Sequence, residues 1–70
     1  MIKQGKVKKY NGKYGLIESE NEIIDFSSKD ISLGQELKEE DIVEFRIEEK
    51  FPNIKIARNI NILNNYLLRD

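Results

Sequence analysis

KVKKYNGKYGLI, residues 6–17, holds two short runs joined at Asn11-Gly12, with lysines and tyrosines mixed through both. Asn-Gly tolerates positive φ at both central positions of a type I′ turn, so the segment predicts a hairpin with strands near 2–10 and 13–19. A two-residue turn there pairs Tyr10 with Lys13, Lys9 with Tyr14 and Val7 with Leu16. That register puts Val7 and Leu16 on one face.

Downstream, ENEIIDFSS (20–28) is rich in β-branched and aromatic residues and predicts a third strand at about 22–27, with Asn21 in the preceding turn. SSKDISLGQELKEED (27–41) is polar and contains Gly34. It predicts a long connection, with a helical turn near 28–31 capped by Ser27 or Ser28. DIVEFRIEE (41–49) alternates, placing Val43, Phe45 and Ile47 on one face and Glu44, Arg46 and Glu48 on the other. KFPN (50–53) turns the chain into IKIARNINIL (54–63). There Ile54, Ile56, Arg58, Ile60 and Ile62 share one register and Ala57 and Leu63 the other, which predicts a bulge near 57–59.

Five short strands without a long helix favour an all-β barrel or sandwich, and at 70 residues the economical choice is a five-stranded antiparallel OB-fold barrel. The chain reads as one domain over 1–63 with a C-terminal tail, 64–70. The tail is either a frayed end or a helical turn that places Tyr66 or Leu67 over the barrel mouth. The predicted core is Val7, Ile17, Ile24, Val43, Phe45, Ile47, Ala57 and Ile60.

Composition removes several function classes. With no cysteine and no histidine, the chain has no disulfide framework, no thiol nucleophile and none of the usual zinc side chains. EF-hand spacing and a phosphate-binding glycine loop are both missing, and the acids of LKEEDIVE are spaced as an exposed loop and strand. The expectation is a non-enzyme with no cofactor and no metal. Aliphatic runs are as short as Ile23-Ile24 and Leu67-Leu68, so no stretch suits a bilayer or a signal-peptide core. A cytoplasmic monomer is expected.

The net charge of -1 hides a segregation along the chain. Residues 1–17 carry Lys3, Lys6, Lys8, Lys9 and Lys13 with no acid, whereas residues 18–49 carry twelve acids against Lys29, Lys38 and Arg46. Such asymmetry points to one face that attracts phosphate and an acidic half that repels it.

GKVKKYN (5–11), KYGLI (13–17), EIIDFSS (22–28), LKEEDIVEFRI (37–47) and IARNI (56–60) together resemble the bacterial cold-shock domain, over about residues 2–62. The resemblance implies a five-stranded OB-fold barrel whose first three strands present aromatic and basic side chains to single-stranded RNA or DNA. It also implies Val7 inside and Leu16 outside, which the hairpin register allows only with a bulge in the first strand near Lys8 and Lys9. The family's two ribonucleoprotein motifs are close to KGFGFI and VFVHF. Here Tyr14 stands at one stacking Phe and Leu16 replaces another; Phe26 is kept, Ile23 replaces a stacking Phe, Asp25 replaces a His, and Lys9 stands at the family's Trp.

A base stacked on an aromatic ring is worth about 1–3 kcal/mol, so the lost rings predict weak binding. Lys6, Lys8, Lys9 and Lys13 would meet phosphates, which adds affinity without sequence choice. Tyr14 and Phe26 would stack on bases while Leu16 and Ile23 fill beside them. The expectation is a weak, salt-sensitive, poorly selective binder that prefers RNA. The bland alternative makes the lysines a solvated strand face, Phe26 a core residue, and Tyr10 and Tyr14 a cover for the hairpin; Lys55 and Arg58 read as surface charges. A rival function is a protein-interaction or regulatory module that has lost its stacking platform and meets a basic protein partner through its acidic half.

Overall fold

The computed structural model describes residues 2–63, so the prediction for the tail at 64–70 lies outside the described residues. Five strands follow in order: β1 (Ile2–Tyr10), β2 (Tyr14–Ser19), β3 (Glu22–Ser27), β4 (Ile42–Lys50) and β5 (Ile54–Ile62). A single 3-10 turn, Ser28–Asp30, is the one helical element among the described residues. The strands close into a barrel in the order β1-β2-β3-β5-β4, with β4 back on β1. This is the all-β, OB-like barrel that the alternating segments predict. One junction departs from the antiparallel expectation. β3 and β5 run parallel, in register at Asp25 and Ile56, because the 28–41 connection carries the chain past β3 before β4 and β5 form.

The core holds Val7, Ile17, Ile24, Phe26, Leu37, Val43, Phe45, Ala57, Ile60 and Ile62, with Tyr10, Ile31 and Ile47 packed against it. Ile47 is only half-buried, whereas Leu37 and Ile62 join from segments that periodicity did not mark as core. Closure of β1 on β4 continues beyond the ladder. The Val7 N–H donates to the Asp41 carbonyl at 2.9 Å, and the Glu40 N–H donates to the Val7 carbonyl at 2.8 Å.

The first hairpin is not turned at Asn11-Gly12. Tyr10 pairs with Gly15 and Lys9 with Leu16, so the two central residues are Gly12 and Lys13. Asn11 causes the shift: its Oδ1 accepts the N–H groups of Lys13 (2.9 Å) and Tyr14 (2.8 Å), an Asx arrangement that competes with the type I′ turn. Positive φ then falls on Gly12 alone, at 95°. The β1 bulge is present between Val7 and Lys9, and it lets Val7 and Ile17 face each other inside while Leu16 lies on the outer face.

A second bulge lies in β5, where Arg46 pairs with Arg58 but Glu44 pairs with Asn61. Asn59, with φ 54°, absorbs the extra residue. The inward set therefore switches from Ala57 to Ile60 and Ile62, and the apparent row of alternate isoleucines is split. Ile54 and Ile56 belong to the outer face with Arg58.

The type I′ signature appears instead at the β2–β3 turn, where Glu20 and Asn21 have φ of 52° and 68°. Left-handed backbone is costly for a residue with a Cβ, at roughly 1–2 kcal/mol, and Asn tolerates it better than Glu. Glu20→Gly should therefore raise stability by about 0.5–1 kcal/mol, net of the backbone entropy that glycine adds to the unfolded chain. A thermal midpoint at or below that of the unchanged protein would show that the Lys3–Glu20 pair (2.9 Å) outweighs the strain.

Candidate functional site

The outer face of β1, β2, β3 and β5 is laid out by register. One row runs Lys9, Leu16, Asp25, Ile56 across the four strands. The next row, towards the β2–β3 turn, has Lys6 beside Glu18 and Glu18 beside Ile23. Towards the other end Tyr14 sits beside Ser27. Tyr14 is 63% exposed, Ile23 56% and Ile54 49%, so this face keeps large apolar groups in water.

A groove of about 530 Å³ opens on the face, lined by Lys9, Tyr14, Leu16, Asp25, Phe26 and Glu39 among others. Gly15 makes it possible. A Cβ on that residue would lie 2.4 Å from Phe26 Cζ and 2.6 Å from the Lys9 carbonyl oxygen, so only glycine lets the Phe26 ring pass beneath β2.

The predicted site residues separate into groups. Tyr14, Leu16 and Ile23 lie on the outer face, and Lys9 and Lys13 are exposed and carry no ion pair among the described residues. Phe26 differs: it is 3% exposed and stacked by Tyr10, with ring centroids 5.4 Å apart and planes at 30°. Its faces are taken up by the core and by Tyr10, so it supports the floor of the groove and is not a free stacking platform.

Lys6 and Lys8 are exposed but partnered, Lys6 with Glu40 at 3.3 Å and Lys8 with Glu18 at 3.4 Å. Lys3 meets Glu20 in the same way. The charge segregation of the sequence is thus not kept in space. Antiparallel pairing lays the basic β1 against strands and loops drawn from the acidic segment, and acids cancel much of its charge. Exposed pairs of this kind are worth about 0–1 kcal/mol, so phosphate can still compete for Lys6 and Lys8.

At the Tyr14 end, a network escaped the sequence prediction. Asp30 is buried; its Oδ2 accepts the Ser27 N–H at 2.9 Å and the Ser27 hydroxyl at 3.3 Å, while Arg58 donates to its Oδ1 at 2.6 Å. Arg58 also donates to Glu48 at 2.6 Å. The hydrogen bond donated to Glu48, and then that donated to Asp30, raise the guanidinium pKa further above its ordinary value. Lys55 is raised likewise, first by its hydrogen bond to Glu22. Both side chains are committed to carboxylates, as expected of surface charges. The Ser-x-x-Asp spacing at 27–30 was the available signal for this cap.

Among the described residues there is no group of three or more carboxylates placed to hold a metal ion, and no helix long and apolar enough to cross a membrane. No protein-family model matches the chain, and no curated protein matches it.

Proposed function

We propose that this barrel binds single-stranded nucleic acid, RNA in preference to DNA, across the outer face of β1–β3. The observation that carries the reading is the exposed Tyr14 ring at the groove, next in the chain to Lys13 and sharing the groove with Lys9, both lysines free of ion pairs among the described residues. A base lies on Tyr14 against Leu16, and its phosphates meet the two lysines. The cold-shock resemblance supports the same face. Binding is weak, because one exposed ring replaces several, and selectivity along most of the strand is low, because phosphate contacts carry no sequence information. The reading includes a cytoplasmic monomer with no cofactor and no catalytic activity.

Fluorescence anisotropy with short oligo-U and oligo-dT over a salt series tests it. Two phosphate contacts predict a log–log slope of about -1.4, from roughly -0.7 per contact on a single strand. A slope near -2.8 would mean that Lys6 and Lys8 release Glu40 and Glu18 to join them. Tyr14→Ala should weaken binding by about 5-fold to 100-fold. Unchanged affinity in Tyr14→Ala and Lys9→Ala, with the fold intact, would remove this face from the function.

A second reading, a docking surface for a basic protein, is favoured by the Asp25 and Glu39 carboxylates in the groove and the exposed Ile23 and Ile54 beside it. Failure of every oligonucleotide to bind at low salt would select it.

A further inference from the structure

Asp25, like Glu39 in the same groove, is a carboxylate that phosphate contacts do not explain, and of the two it is the one held in the sheet, beside Leu16. It is exposed on β3, and among the described residues its carboxylate takes part in no ion pair and no side-chain hydrogen bond. Its strand neighbours are Leu16 and Ile56, both half-buried, so the charge stands in apolar surroundings. Tyr14 pairs with Ser27, which makes Asp25 its diagonal neighbour across β2 and β3, at about 7–8 Å. The 530 Å³ groove and a second one of about 220 Å³ reaching Arg58 share Tyr14, Asp25 and Phe26 as lining. A base resting on the Tyr14 ring over this shared wall turns one edge to the carboxylate.

A carboxylate offers two acceptors and no donor. Guanine is the base whose Watson–Crick edge sets two donors side by side, N1–H and the N2 amino group, and they match the two carboxylate oxygens. Adenine and cytosine place one amino donor beside a ring-nitrogen acceptor. Uracil places a single N3–H between two carbonyls. In each of those cases a lone pair faces a carboxylate oxygen, which disfavours the wrong base as well as omitting a bond. The same negative charge repels phosphate, so the backbone keeps to the Lys9 and Lys13 side and the base edge points towards β3.

We infer that Asp25 makes the base position over Tyr14 selective for guanine, through paired hydrogen bonds from guanine N1–H and N2–H to its carboxylate. The inference rests on the nucleic-acid reading above and adds a base preference to it. A single guanine in an otherwise uniform strand is the relevant ligand, since runs of guanine associate with one another.

The test is anisotropy with a short oligo-U carrying one central guanine, inosine, adenine or cytosine, for the unchanged protein and for Asp25→Asn. Guanine should tighten binding by about 5-fold to 100-fold over uniform oligo-U, the worth of a bidentate base contact. Inosine, which lacks the N2 amino group, should fall between them, and adenine should not match guanine. Asp25→Asn should tighten binding to oligo-U by removing a negative charge and should level the series, because a carboxamide sets a donor beside its acceptor. Guanine no better than adenine or uracil, or a guanine preference that survives Asp25→Asn, overturns the inference while leaving oligo-U binding in place. If no oligonucleotide binds, the nucleic-acid reading falls and this inference falls with it.

Discussion

Gly15→Val should lower the stability of the barrel by about 3 kcal/mol or more, at or beyond the upper end of the usual penalty for overpacking a core. A Cβ at this position would meet Phe26 Cζ at 2.4 Å, Phe26 Cε1 at 2.6 Å and the Lys9 carbonyl oxygen at 2.6 Å. None of these can retreat easily. Phe26 is buried and stacked by Tyr10, and the Lys9 carbonyl belongs to the β1 bulge that sets the register of the first hairpin. Domains typically hold about 0.05–0.15 kcal/mol per residue, or roughly 4–10 kcal/mol at this length, so the loss is a large fraction of the whole. Urea unfolding measures it. A loss under about 1 kcal/mol would mean that Phe26 rotates aside at little cost. The same change should distort the groove, since Gly15 lies between Tyr14 and Leu16.

Asp30→Ala should cost about 2–3 kcal/mol, from a lost cap and a part-buried N–H left unpaired. The carboxylate ties Ser27, at the end of β3, to Arg58 on β5, where β3 and β5 share a single ladder position at Asp25 and Ile56. Deleting it loosens the weakest seam of the barrel. Asp30→Asn keeps an acceptor for the Ser27 N–H and should cost less. Equal losses in the two variants would show that the charge on Asp30, and not the cap, carries the effect.

Local patterns made much of the fold legible. The strict alternation of Val43, Phe45 and Ile47 with Glu44, Arg46 and Glu48 marked β4, and the conflict between the hairpin register and the cold-shock pattern at Val7 and Leu16 marked the β1 bulge. The candidate site was only partly legible. Tyr14, Leu16 and Ile23 reach the outer face as the strand periodicity implies, and the β1 bulge turns Lys9 out with them. Phe26 does not, because its side chain alternates inward with Ile24, and Tyr10 covers the ring. The first turn lies one residue beyond Asn11-Gly12 because the Asn11 side chain accepts the Lys13 N–H that the Tyr10 carbonyl would accept in a type I′ turn centred there, and the Tyr14 N–H as well.

Strand number, strand limits and the all-β class follow from the chain's own order, since side-chain alternation and turn chemistry act over a few residues. Closure of the barrel decided the rest. It set Lys3 against Glu20, Lys6 against Glu40 and Arg58 against Asp30, pairs that lie 17, 34 and 28 residues apart, and so turned a segregated charge pattern into an interleaved one. It also left Lys9, Lys13, Asp25 and Glu39 as charges around Tyr14 and its groove that carry no ion pair among the described residues. A charge acts through whatever lies within a few ångströms of it, and that neighbourhood exists only once distant strands are paired.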